Sequence, residues 1–176
     1  MKILNNLLIN LYYQIHEFMG FGVTMELNES RLIENEMTIR LLRLTSESME
    51  TRRSIIRWLA LSMGIVNPKE SRLSAIAVFD SLLYFQFVLK KDPDVHEMTE
   101  YINKAWEPIN EKTLRYHLLQ LKKMRIIKNS KAKYSLIGSN NPHSTSDAWI
   151  DNYFDTMIEP IKTNIKRMVQ ELKGRQ

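Results

Sequence analysis

Residues 110–137 read NEKTLRYHLLQLKKMRIIKNSKAKYSLI. Eight Lys and Arg side chains fall between Lys112 and Lys133, beside an apolar residue at almost every third or fourth position. Over residues 111–124, Leu114, Leu118, Leu121 and Met124 recur at spacings of 4, 3 and 3, which places them on one stripe of a helix. Lys112, Arg115, Tyr116, Leu119, Gln120, Lys122 and Lys123 fall on the other faces. Arg125-Ile126-Ile127-Lys128 and Lys133-Tyr134-Ser135-Leu136-Ile137 then read as two strands around the polar turn Asn129-Ser130-Lys131-Ala132. A two-stranded hairpin is marginal alone, so Ile126, Tyr134 or Leu136 must dock it on the helices.

Working upstream, Asn110 is placed to cap this helix, with Glu111 complementing the dipole of its first turn. Glu107-Pro108-Ile109 is a turn, because Pro108 disfavours helical geometry at Glu107. The spacing predicts a helix over 94–106, with Asp94 and Glu97 as a capping box and Val95, Met98, Ile102 and Trp106 inward. From Lys69 to about Lys90 the chain is apolar on nearly every face, interrupted by Asp80, Ser81 and Gln86. It reads as a central helix that the N-terminal helices or a partner chain must cover. Two helices across a short turn, the second basic outward, make a helix-turn-helix. With the helix before and the hairpin after, the order is that of the winged helix.

The run TLRYHLLQLKKMRII followed by KAKYSLI resembles the recognition helix and wing of winged helix-turn-helix transcription regulators. The likeness is to the arsenic-repressor and multiple-antibiotic-resistance kind, common in archaea and bacteria. It covers about residues 70–137 and rests on Thr113, Leu114, His117, Leu118, Leu121, Ile127 and Tyr134. It implies DNA binding, to the double-stranded form, by the third helix and the hairpin tip; separately, no cofactor is expected. Arg125 departs from the pattern, since the family usually has Gly at that helix end.

The charge pattern points the same way. Residues 110–134 hold eight cations against Glu111, a net of +7 where the whole chain carries +5, so the remainder sums to −2. Such focus suits a polyanion. The first half of the helix offers Lys112, Thr113, Arg115, Tyr116 and Gln120 for base edges in the major groove. Lys123, Lys128, Lys131 and Lys133 are placed for phosphates, with residues 128–133 as the wing on the backbone.

The expected class is mainly α with a small two-stranded β-hairpin, organised as an N-terminal helical extension over 1–66, the winged domain over 67–137 and a C-terminal helical segment over 138–176. Residues 29–44 carry Leu32, Ile33, Met37, Leu41 and Leu44 at helical spacing. Thr45-Ser46-Glu47-Ser48 starts or continues a helix to Met63, with Gly64 as its C-terminal cap. Beyond the loop at Ser139-Asn140-Asn141-Pro142, a helix resumes near Ser146. Its stripe of Ile150, Phe154, Met157, Ile161, Ile165, Met168 and Leu172 suits a second helix, and Pro160 should bend or split it. A two-fold homodimer through this stripe is the expected assembly.

Other chemistry finds little support. The chain has no Cys, which excludes disulfides and a thiol nucleophile. His96-Glu97-Met98-Thr99-Glu100 misses the zincin motif at its last position, and no metal site is expected. His117, beside Leu118, reads as a packed, satisfied histidine rather than a ligand. No catalytic constellation is recognisable, so no enzymatic role is expected. Arg52, Arg53 and Arg57, with Trp58, suggest either a solvated face or an auxiliary site for phosphate or an acidic partner. The N-terminal MKILNNLLINLYYQIHEFMGFG faintly resembles a signal peptide, but Asn5, Asn6 and Asn10 break the run and no A-x-A-like site follows. An extra amphipathic helix, or a leader ahead of a domain beginning near Met25, fits better. A cytoplasmic protein without a membrane partner is expected. A protein-binding winged helix in a replication or transcription assembly is the alternative, and RNA binding fits less well.

Overall fold

The computed structural model describes residues 29–71, 73–138 and 148–175; the expectations for residues 1–24, for the loop at 139–142 and for a helix start near Ser146 lie outside them. The chain divides into two units, Met1–Glu36 and Met37–Gln176. Of the first, the described part holds a single 3-10 turn, Glu29–Arg31.

The second unit is mainly helical with one small antiparallel sheet. Its described elements are α1 (Ser46–Glu50), α2 (Arg52–Ser62), α3 (Ser74–Phe87), α4 (Val95–Ala105), α5 (Glu111–Lys123), β1 (Ile127–Ser130), β2 (Lys133–Leu136) and α6 (Ala148–Gly174). The helix starts reflect local chemistry. Thr45 and Thr51 each form a capping box with the serine three residues on, and Asp94 does so with Glu97. Asn110 accepts from the Thr113 amide at 2.8 Å. Because Thr51 is extended and caps a new helix, the single helix expected to reach Met63 is broken into α1 and α2.

The helix expected over 29–44 does not form. Residues 37–44 instead run without regular structure past the end of α2, held by Arg40. Its guanidinium donates to the carbonyls of Leu61 at 2.8 Å and Val66 at 3.2 Å and to Asn67 Oδ1 at 2.9 Å. Its amide donates to the Ser62 carbonyl at 2.8 Å. A cation and an amide thus meet carbonyls that a helix end leaves open, a stronger claim on this segment than its own weak amphipathic pattern. Gly64 lies beside it at φ +70°, where an added Cβ would stand 2.4 Å from the Thr38 carbonyl oxygen.

The core is one cluster centred on α3, from which Ala75 to Leu83 and Phe85 are buried. α2, α4, α5 and β2 all pack on it. The chain therefore covers its most apolar helix by itself, and a second copy is not needed for that purpose. α5 contributes Leu114, Leu118 and Leu121, as its stripe predicts, while Met124 is half-buried. Ile126, Ile127 and Leu136 seat the hairpin in the same core, and the Tyr134 amide donates to the Pro93 carbonyl at 2.9 Å.

The hairpin is shorter at its tip than the expected four-residue turn. Ser130 pairs with Lys133, so only Lys131 and Ala132 turn, with φ of 50° and 61°. Both central residues are left-handed, as in the turns that match strand twist. α6 is one helix that continues through Pro160. Its seat in the core is Trp149, Tyr153 and Met157, with Ile150 and Phe154 half-buried, and Gly138 at φ +88° lies against Asn152. From Glu159 to Arg175 every side chain is exposed.

Candidate nucleic-acid interface

The buried stripe of α5 fixes which side chains it turns outward. Lys112, Arg115, Tyr116, Leu119, Lys122 and Lys123 are exposed, while Thr113 and Gln120 are half-exposed at its edge. Arg115 is held against Glu111 one turn earlier, Nε to Oε1 at 2.7 Å and Nη2 to Oε1 at 2.6 Å. An exposed pair of this kind contributes only about 0.5 kcal/mol, so Arg115 can exchange its partner for a stronger anion at small cost. On the hairpin, Lys131 and Lys133 are exposed at the tip, and Lys128 is half-buried opposite Ser135. The sequence-predicted residues thus share the outward side of α5 or stand on the hairpin after it.

The junction between the two depends on Arg125. Its φ is 56°, the left-handed cap that Gly would fill at no steric cost. The Arg125 amide donates to the Lys122 carbonyl at 3.0 Å and the Ile126 amide to the Leu121 carbonyl at 3.0 Å, closing α5 with a Schellman motif. The cap geometry is retained, and the arginine carries the strain that Gly would avoid.

Behind Tyr116 and Gln120 lies a groove of about 710 Å³ between α5 and residues 64–75, lined by Glu70, Ser74, Lys112 and His117 among others. His117 Nε2 and Ser74 Oγ share a hydrogen bond at 2.9 Å. Burial pushes the imidazole below its ordinary range, partly offset by the Glu70 carboxylate. The residue is a packed histidine joining α3 to α5.

The arginines of α2 make contacts within the chain while Arg52 and Arg53 stay exposed and Arg57 is half-buried. Arg52 donates through Nε to Asp80 Oδ1 at 2.9 Å, with Nη2 at 2.7 Å from the same oxygen. Tyr101 Oη and Trp106 Nε1 each donate to Asp80 Oδ2 at 2.9 Å. Arg53 lies 4.7 Å over the Trp106 ring and donates to the Ala105 carbonyl at 2.7 Å. Arg57 donates to the Glu70 carbonyl at 3.3 Å. Asp80 is therefore a buried hub tying α2, α3 and α4 together, and burial next to it pushes the Tyr101 hydroxyl up to about 12. The sequence carried one signal for it: a lone carboxylate inside a helix apolar on every face needs a cationic partner.

Among the described residues no cluster of three metal-ligating side chains occurs, and no helix is long and apolar enough to cross a membrane. Comparison with protein-family models, curated proteins and solved structures returns no match for the chain.

Proposed function

We propose that the chain is a sequence-specific, double-stranded DNA-binding regulator of transcription, built as a winged helix-turn-helix and acting as a two-fold dimer. The observation that carries this reading is the concentration of exposed cations on the outward side of α5 and the tip of the adjoining hairpin. α3, α4, α5, β1 and β2 are read as the winged domain. In this reading α5 lies in the major groove, where Arg115 and Gln120 meet base edges and Thr113 and Tyr116 flank them. Lys112 stands at the N-terminal turn of the same face. Lys123, Lys128, Lys131 and Lys133 hold phosphates and set the register.

The dimer reading rests on α6. Ile161, Ile165, Met168 and Leu172 stay exposed at spacings of 4, 3 and 4, the seam of a two-stranded coil. Two copies joined there carry two copies of α5, as a palindromic operator requires.

A salt titration of binding to random duplex DNA tests the function. Four to six phosphate contacts predict a slope of log K against log salt of about −4 to −5. Lys123→Ala weakens binding to all sequences alike, and Arg115→Ala relaxes the preference for one site. A second reading, a protein-binding module, is favoured by one observation: Tyr116 and Leu119 are exposed amid the cations. Little duplex affinity at any salt concentration would select it.

A further inference from the structure

The outward arc of α5 contains a side chain that neither the core nor the charge pattern explains. Leu119 lies between Arg115 and Lys122, at spacings of 4 and 3, and is 50% exposed; Tyr116, three residues before it, is 57% exposed. The helix turns Leu114, Leu118 and Leu121 to the opposite side, so Leu119 is not a marginal member of the core. It stands at the centre of a surface whose other members are hydrated cations and hydrogen-bonding groups. A leucine there gains nothing until something apolar covers it.

The surrounding charge selects the kind of partner. Lys112, Arg115, Lys122 and Lys123 around Leu119 complement a polyanion, and the apolar group that a base pair presents in the major groove is the C5 methyl of thymine. We propose that Leu119, supported by the ring of Tyr116, contacts thymine methyl groups at the centre of the bound site and so makes the protein discriminate thymine from cytosine there. This rests on the duplex-binding reading and adds to it the base that the middle of the helix reads. The cations give affinity without sequence; Leu119 supplies a preference through a methyl group excluded from water.

The test begins with the best site selected by the parent protein from a random duplex library. Each thymine of that site is replaced in turn by deoxyuridine, which removes the methyl and keeps the base pairing. The expected result is one or two positions at which the parent binds roughly fourfold more weakly for the methyl lost. 5-Methylcytosine in place of cytosine at those positions should recover part of the loss caused by cytosine. Leu119→Ala should bind the thymine and deoxyuridine duplexes equally while keeping the parent's salt slope. A parent indifferent to every replacement, or a Leu119→Ala protein that still discriminates, overturns the inference and leaves duplex binding standing. A parent that binds no duplex overturns both, and the salt titration reveals that outcome separately.

Discussion

Asp80 is a buried carboxylate that accepts from three side chains of other segments. Its carboxylate accepts from Arg52, Tyr101 and Trp106, so its removal takes the acceptor from two half-buried donors, Tyr101 and Trp106, and from the half-exposed Arg52. Asp80→Ala should cost about 3 kcal/mol or more, read as a lowered urea midpoint. Arg52→Ala should cost less, because that side chain is half in water. His117 makes a pH-dependent contribution. Its folded pKa is depressed by burial, so the folded state favours the neutral ring and the unfolded chain takes up a proton first. The resulting stability is present above about pH 6.5, the ordinary histidine value, and is lost as pH falls below it. The urea midpoint should therefore drop between pH 7.5 and 5.5, and His117→Gln should flatten that drop.

At the scale of elements, the junction of α5 with β1 is the most informative. Its cap is closed by two backbone bonds that need a left-handed residue, and Arg125 occupies it. Arg125→Gly should raise stability by up to about 1 kcal/mol in urea melts by relieving the Cβ clash, and under the duplex-binding proposal should lower duplex affinity slightly through the lost charge. The elements themselves are largely legible in the sequence. Asn110, Asp94 and Gly64 serve as the caps their chemistry suggests, and the buried faces of α4 and α5 match the apolar spacing. The segment 29–44 departs from its sequence pattern because five apolar residues at helical spacing are a weak local signal. The carbonyls of Leu61, at the end of α2, and of Val66, in the loop beyond it, hold Arg40 instead.

At the scale of the whole molecule, α6 divides into two roles that its sequence stripe does not separate. Its first half is core, through Trp149, Tyr153 and Met157, and its second half is exposed. Ile165→Asp combined with Met168→Asp should convert a dimer to a monomer by sedimentation equilibrium. Far-UV circular dichroism and the urea midpoint of the domain should stay unchanged, since neither side chain touches the core. A parent that sediments as a monomer would remove the paired-operator reading.

The sequence alone determined part of what local physics controls: the caps at Asp94, Asn110 and Gly64, the apolar faces of α4 and α5, and where the positive charge gathers. Caps, periodicity and charge act over three or four residues and need no knowledge of the fold. The tertiary structure alone decided which residues meet across long separations. It joined Asp80 to Arg52, Tyr101 and Trp106, laid the Arg40 segment against α2, and enclosed α3 within its own chain. Those outcomes rest on burial, where a polar group must find its partner wherever the backbone brings one, and spacing along the chain carries no record of that distance.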